Sequence, residues 1–139
     1  GVSSAASDVY KRQIYAKLLG QKMAVNNANC WLVNTGWSGG RYGEGERMKI
    51  AYTRAMLNSA LSGDLERVEL KADPNFGVLV PQSCPEVPAE VLNPRNTWAD
   101  GSAYDAQAHD LTQRFENNFQ KFENHVDDQV KAAAIRAAA

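Results

Sequence analysis

The sequence predicts an α/β segment, on three observations. A short apolar run is followed by a glycine-rich loop and then by residues at helical spacing, which is the order strand, loop, helix. Partial alternation of apolar residues between Leu65 and Val80 indicates two short strands around a turn at Asp73 and Pro74. A long stripe near the carboxyl end steps by three and four residues, which is typical of an amphipathic helix.

The amino-terminal third divides into a leader, a helix and a strand. Residues 1–13 are small and polar with no strong period, and we interpret them as a non-native leader, distinct from the segment 14–139. From Tyr15 onward the apolar residues follow helical spacing, which predicts a helix that ends near Asn26. The apolar run Cys30–Val33 predicts a strand buried on both faces.

Two further helices are predicted on either side of a proline-rich stretch. The first carries a stripe at three- and four-residue steps and stops at Gly63. Its stripe consists of Ile50, Arg54, Leu57 and Leu61. Prolines hold residues 81–94 in an extended, turn-rich conformation. The last helix is capped by Asp100 or Ser102, and its stripe is expected to pack into the core. The members of that stripe are Tyr104, Ala108, Leu111, Phe115, Phe119 and Phe122.

Composition and charge exclude several classes of function. The chain carries 15 basic and 16 acidic residues in a mixed distribution, so it lacks the basic stripe that tracks nucleic-acid phosphates. No stretch approaches the roughly 20 apolar residues of a membrane span. Cys30 and Cys84 form no metal-ligand pattern, which argues against zinc and indicates reduced thiols in a cytoplasmic protein.

The glycine-rich loop holds half of the chain's ten glycines, at positions where α/β folds often bind nucleotides. Its glycine spacing resembles a Walker A loop, but Glu46 and Arg47 occupy the places of the lysine and the Ser/Thr. Glu44 and Glu46 would repel phosphate at close range. The dinucleotide pattern also fails, because Met48 stands where the third glycine belongs. The loop is therefore not a phosphate cradle.

The same loop could hold the base or sugar of a nucleotide. Arg47 offers a planar cation that stacks on a purine, and Met48 could pack against the ring as one side of its pocket. Thr53 adds a hydroxyl. Taken by themselves these residues fit a plain surface connection better than a site. Two readings without catalysis stay open: a stand-alone adenine-nucleotide binding module, and a helical interaction domain whose aromatic stripe docks a partner.

Four stretches carry a resemblance to a known family. They are Asn29–Trp37 (NCWLVNTGW), Gly45–Arg54 (GERMKIAYTR), Pro81–Pro88 (PQSCPEVP) and Val91–Trp98 (VLNPRNTW). In this order and at these intervals they resemble the last quarter of ATP-type phosphoenolpyruvate carboxykinase, from about Tyr15 to Phe122. The resemblance implies the carboxy-terminal part of the carboxykinase mononucleotide-binding domain, with the domain itself incomplete.

The resemblance also implies a function. The family is a cytoplasmic carboxy-lyase that converts oxaloacetate and ATP to phosphoenolpyruvate, CO2 and ADP in gluconeogenesis, with a divalent metal, Mg or Mn. Arg47, Met48 and Thr53 match positions that contact ATP in the family, so this segment is expected to supply the adenine-binding wall. Residues 34–36 would shape the same wall. No nucleic-acid or membrane partner is expected.

The remaining machinery of the family is expected upstream of this segment. The phosphate loop, the Lys, His and Asp metal ligands and the substrate-binding arginine have no counterpart here, so no catalytic or metal-binding residue is assigned. His109 and His125 both fall on the predicted carboxy-terminal helix, far from the four stretches, and are interpreted as surface residues. Arg95 is expected to pair with a carboxylate of the missing part. The segment alone is therefore expected to be inactive.

Overall fold

The computed structural model describes residues 4–137, which form two compact units. Residues 4–31 and 116–134 make the first unit, and residues 32–115 with 135–137 make the second. The first contains helix α1 (Ser4–Asn26), a 3-10 turn (Glu123–His125) and helix α6 (Asp128–Ala132). The second contains the glycine-rich loop and the elements around it, so the candidate site lies there.

Helix α1 confirms the helix predicted from Tyr15 and its end at Asn26. Asn27 adopts the left-handed conformation with φ 49°, and the amide of Ala28 donates to the carbonyl of Met23 over 3.0 Å, which closes the helix as a left-handed cap does. The helix already begins at Ser4, inside the predicted leader. The non-native origin of residues 1–13 stays a prediction.

The second unit alternates short strands and helices. In chain order they are β1 (Trp37–Ser38), β2 (Glu46–Arg47), α2 (Ile50–Ser62), a 3-10 turn (Asp64–Glu66), β3 (Leu70–Ala72), β4 (Leu79–Pro81), α3 (Ala89–Leu92), α4 (Pro94–Thr97) and α5 (Gly101–Phe119), of which residues 116–119 belong to the first unit. The strands form two separate antiparallel pairs, β1 with β2 and β3 with β4. The chain is thus mixed helix and small sheet, compatible with the α/β expectation.

Two local predictions of the sequence are confirmed by the backbone. Helix α2 ends at Gly63, which has φ 78° and donates its amide to Ala60. The turn between β3 and β4 is held by Asp73, whose Oδ1 accepts from the amides of Asn75 at 2.9 Å and Phe76 at 2.8 Å. These features need only a few neighbouring residues, so the sequence pattern is sufficient to predict them.

Helix α5 is present, but its stripe packs differently from the prediction. Asp100 is the cap, and its Oδ1 accepts from the amide of Ser102 at 2.9 Å. The helix ends at Phe119, so Phe122 lies beyond it. The residues that α5 buries are the smaller Ala108 and Thr112. Leu111 is 40% exposed and Phe115 is 45% exposed, so the expectation that these two belong to the core is wrong for this chain.

The predicted strand at Cys30–Val33 is also wrong. These residues form no strand, and Leu32 is 87% exposed. A strand buried on both faces requires neighbouring strands for its backbone hydrogen bonds, and no neighbour pairs with this stretch among the described residues. The proline-rich stretch 81–94 differs in a smaller way, because it includes the short helix α3 and leads directly into α4.

The core of the second unit is thin. The buried side chains among the described residues are Met48, Ala55, Ser59, Leu65, Cys84, Val87, Ala108 and Thr112. Most of them are small, and one pair is polar: the thiol of Cys84 lies 3.5 Å from the hydroxyl of Ser59. This contact ties the proline-rich stretch to the inner face of α2.

Candidate functional site

The glycine-rich loop is the tip of a β-hairpin that precedes α2. Strands β1 and β2 pair Trp37 with Arg47 and Ser38 with Glu46. One residue further, the amide of Met48 donates to the carbonyl of Gly36 over 2.8 Å. Arg47 and Met48 are therefore held by backbone hydrogen bonds at a fixed place beside the start of α2.

Glycine is required inside this hairpin because two backbone segments come into direct contact. A Cβ on Gly45 would lie 2.5 Å from the carbonyl oxygen of Ser38 and 2.8 Å from the amide nitrogen of Gly40. A Cβ on Gly40 would lie 2.8 Å from the amide nitrogen of Gly45. The glycines thus let the hairpin close on itself, and this accounts for them without a phosphate ligand.

Thr97 connects the hairpin to the proline-rich side of the unit. Its hydroxyl donates to the carbonyl of Pro94 at 2.7 Å and accepts from the amide of Gly39 at 3.1 Å. The hydroxyl of Ser38 also donates to it at 3.3 Å. Gly39 has φ 77°, and a Cβ there would lie 3.0 Å from the carbonyl oxygen of Thr97. One side chain therefore fixes the distance between β1 and α4.

A groove of about 390 Å³ runs between these two parts of the unit. The hairpin and the start of α2 form one wall, and the segment from Pro88 to Ala99 forms the other. Its lining includes Ser38, Gly39, Arg47, Met48, Lys49, Tyr52, Val91 and Thr97. A volume of this order falls within the range of small-molecule sites. The amino group of Lys49 lies 5.4 Å above the ring of Tyr52, so a cation and an aromatic face are already paired there.

The charges around the groove favour a neutral ligand over a highly anionic one. Glu44, Glu46 and Glu90 contribute three carboxylates to the lining, against the two cations Arg47 and Lys49. These charged side chains are exposed, so solvent and salt screen their fields. The carboxylates still outnumber the cations, which leaves an acidic excess in the lining. A triphosphate placed between them would be repelled, whereas an uncharged aromatic ring would not.

The structure brings together two of the three predicted site residues. Arg47 and Met48 both line the groove, with Arg47 exposed and Met48 only 8% exposed. Thr53 does not line it: this half-buried residue sits in the first turn of α2, where its amide donates to the carbonyl of Lys49. Residues 34–36 lie outside the lining as well, although Gly36 is bonded to Met48 through its carbonyl.

Arg95 already has a carboxylate partner within this chain. Its Nε donates to Oδ1 of Asp105 at 2.8 Å and its Nη2 donates to Oδ2 at 2.9 Å, a bidentate pair on the exposed surface. The expectation that Arg95 awaits a carboxylate of the missing part is therefore wrong. The hydrogen bond from Arg95 lowers the pKa of Asp105, and the same pair raises the pKa of Arg95.

Two other groups near this pair have shifted pKa values. Hydrogen bonds from the side chain and the backbone of Ser102 lower the pKa of Asp100, the cap of α5. Burial raises the pKa of Tyr104, assisted by the carboxylates of Asp73 and Asp105. Both shifts follow from structural contacts, and neither group lines the groove.

The described residues contain no group of three or more His, Cys, Asp or Glu side chains placed to hold a metal ion. The two cysteines are free, Cys30 exposed and Cys84 buried. In the part of the chain that the structure describes, no helix is long and apolar enough to cross a membrane. The groove is the candidate site on which the proposed function rests.

Sequence reasoning missed several lining residues. Lys49, Tyr52 and Thr97 stand within the stretches that carry the family resemblance, but no site role is predicted for them from the sequence. The signal for Thr97 was present in the spacing, because a threonine three residues after Pro94 can return its hydroxyl to that carbonyl. Its second role, as an acceptor for Gly39, involves residues 58 positions apart and has no local signature.

Comparison with known proteins places the chain in a family. A family model described as phosphoenolpyruvate carboxykinase, of the ATP type, matches residues 5–90. The chain is 56% identical over 127 residues to phosphoenolpyruvate carboxykinase (ATP) of Rhizobium rhizogenes, covering 90% of this chain and 24% of the relative. It is 57% identical over 111 residues to the Moorella thermoacetica enzyme of that name, covering 80% and 21%. The Geotalea uraniireducens enzyme is 55% identical over 117 residues, covering 84% and 22%.

The chain therefore belongs to the family of ATP-type phosphoenolpyruvate carboxykinases. It spans about a quarter or less of the length of the relatives it matches. The resemblance drawn from the four sequence stretches is confirmed. The family match spans all three predicted site residues: Arg47 and Met48, which line the groove, and Thr53, which does not.

Proposed function

We propose that this chain is the adenine-binding portion of an ATP-dependent phosphoenolpyruvate carboxykinase. The whole enzyme converts oxaloacetate and ATP to phosphoenolpyruvate, CO2 and ADP, as a cytoplasmic carboxy-lyase of gluconeogenesis. Arg47 and Met48 hold the base in the groove, and Thr53 contributes its hydroxyl from the adjacent turn of α2. The observation that carries the proposal is the groove itself, because two positions that the family resemblance assigns to ATP contact lie together in its lining, on one hairpin.

The chemistry of the groove suits the base end of ATP. The guanidinium of Arg47 can stack on a purine, and Met48 supplies an apolar edge beside it. The acidic excess of Glu44, Glu46 and Glu90 directs the triphosphate away from this segment. In this arrangement the charged half of the nucleotide lies against other parts of the enzyme.

Phosphoryl transfer needs groups that these residues do not supply. The transition state requires cations on the phosphates and a divalent metal, Mg or Mn, to neutralise the developing charge. The acidic excess of the groove supports assigning that work to the remaining polypeptide of the enzyme. The chain alone is accordingly expected to be inactive.

Titration of the isolated chain with ATP and magnesium tests whether this segment needs the rest of the enzyme to bind ATP. A single open wall recovers little of the free energy needed to immobilise a ligand, so binding is expected to be negligible at millimolar ATP. Isothermal titration calorimetry is the measurement. Micromolar affinity would favour a stand-alone nucleotide module, and turnover of oxaloacetate by the chain alone would refute the proposal.

The role of Arg47 is tested in a full-length enzyme. The chain is placed in the Rhizobium rhizogenes carboxykinase in exchange for the segment it matches, which is 56% identical. Arg47→Ala is expected to raise KM for ATP about tenfold with little change in KM for oxaloacetate, because a stacked cation at a partly desolvated site contributes about 1–2 kcal/mol.

Arg41→Ala is the matched control for this variant. Arg41 is an exposed arginine of the same hairpin, and its side chain is outside the groove lining. Its substitution is expected to leave both KM values unchanged. Equal changes in both KM values on replacing Arg47 would remove it from the nucleotide site.

A further inference from the structure

Helix α2 has two faces of opposite character. Its buried positions carry the small residues Ala55 and Ser59. On the opposite side, Ile50 is 69% exposed, Leu57 is 45% exposed and Leu61 is 87% exposed. Steps of seven and four residues place these three on one side of the helix. We call them the outer stripe.

The outer stripe is the larger of the two apolar surfaces on α2. Single exposed apolar residues are ordinary on protein surfaces, but three large ones aligned over three turns form a strip about 17 Å long. An amphipathic helix normally turns its large apolar residues to the core. Here the small residues face the core of the unit, so the outer stripe lacks a covering layer among the described residues.

We infer that the outer stripe is the surface on which the remaining carboxykinase polypeptide packs. This inference rests on the proposed function. The matched relatives are between four and five times as long as their matched segments, so most of the polypeptide of such an enzyme lies outside the matched segment and is available to cover the stripe. The occupant is an apolar helix or sheet face of that polypeptide, with a carboxylate opposite Arg54.

The positive charge of Arg54 favours this occupant over a second copy of the chain. It is exposed and follows Ile50 by four residues, so it lies within the strip between Ile50 and Leu57. A symmetric contact between two copies would bring each Arg54 towards its counterpart across the two-fold axis. Two cations facing each other at an apolar interface are repelled, whereas a carboxylate from a different segment would be attracted.

The placement of Thr53 agrees with such a cover. Thr53 lies on the flank of α2 between Tyr52, which lines the groove, and Leu57, which belongs to the outer stripe. A layer that packs on the stripe would reach Thr53 from the side opposite the groove. The same layer would then complete the wall that Thr53 joins in the intact enzyme.

Thiol labelling in the full-length exchange enzyme tests the inference. Leu61→Cys is expected to react with a maleimide at least 100-fold more slowly in the folded enzyme than after unfolding in guanidinium. Arg67→Cys is the control, because Arg67 is an exposed residue just after α2 and should react at nearly the unfolded rate. Peptide mass mapping separates these thiols from Cys30 and Cys84. Equal labelling of Cys at positions 61 and 67 in the folded enzyme would overturn the inference.

A second measurement identifies the occupant. In the isolated chain, Leu61→Cys is expected to label rapidly at every protein concentration, since its cover is absent. Protection that increases with concentration would show that a second copy covers the stripe and would overturn the inference. ATP-dependent turnover of the exchange enzyme is recorded in parallel. Loss of that activity with Leu61→Cys still protected would count against the proposed function and leave the packing surface standing.

Discussion

Replacing Gly45 by alanine should open the hairpin that carries Arg47 and Met48. The added Cβ would lie 2.5 Å from the carbonyl oxygen of Ser38, 2.8 Å from the amide nitrogen of Gly40 and 3.1 Å from its Cα. All three are backbone atoms, so no side chain can swing aside to make room. The only relief is separation of the two arms.

The size of the effect follows from these distances. Non-bonded heavy atoms prefer separations of about 3.5 Å or more, so the arms must move apart by up to about 1 Å. Strands β1 and β2 are two residues long and share only two register pairs, which leaves little to resist opening. Steric overpacking of this kind costs about 3 kcal/mol, which corresponds to about a 100-fold change in an opening equilibrium.

Hydrogen exchange at the amide of Met48 measures that opening. This amide donates to the carbonyl of Gly36 over 2.8 Å, and Met48 is buried, so the amide should be protected in the parent chain. Gly45→Ala is expected to accelerate its exchange about 100-fold. Gly36→Ala is the matched control, because its Cβ would meet Asn34 Oδ1 at an ordinary 3.5 Å.

Gly43→Ala gives an intermediate case. Nothing lies within 4 Å of its Cβ position, but its φ of 87° is unfavourable for alanine, at about 1 kcal/mol. The expected order of acceleration is Gly45, then Gly43, then Gly36. Unchanged exchange of Met48 in Gly45→Ala would refute the argument that backbone contact dictates glycine in this loop.

Three further outcomes are expected. Thr97→Val should accelerate exchange of the Gly39 amide by about tenfold, because that donor loses its acceptor, whereas Thr97→Ser should retain protection. The pKa of Asp105 is lowered in the folded state, so its pair with Arg95 stabilises the fold above the ordinary carboxyl pKa and is lost as pH falls through the lower folded value. Arg95→Gln should return the pKa of Asp105 to its usual range in a carboxyl-carbon NMR titration, and an unchanged value would contradict the pairing. In the full-length exchange enzyme, Thr53→Val should raise KM for ATP about fivefold, the loss of one hydrogen bond, and unaltered ATP kinetics would remove Thr53 from the site.

Local patterns predicted much of the secondary structure. The end of α1 near Asn26, the stop of α2 at Gly63 and the Asp73 turn each depend on a few consecutive residues with defined backbone preferences. The cap of α5 at Asp100 is of the same kind. Such features are fixed by short-range sterics and hydrogen bonds, which a sequence displays directly.

Predictions of burial were less successful, for one physical reason. The strand at Cys30–Val33 and the core packing of Leu111 and Phe115 both assumed that large apolar residues find partners. In this chain Leu32 and Leu111 stay exposed, and Phe115 is still 45% exposed although it meets the ring of Phe76 edge-on, with centroids 6.3 Å apart. Hydrophobic periodicity indicates which face of an element seeks burial, but it does not show whether the covering layer belongs to the same chain.

The sequence by itself determined the family, the helix boundaries set by local caps, and the unsuitability of the loop for phosphate, since Glu46 and Arg47 replace the required residues. Only the tertiary structure decided that Arg47 and Met48 share a groove with Thr97, and that α2 turns its small residues inward. Contacts between residues tens of positions apart depend on how elements pack, and packing depends on all the surfaces present at once.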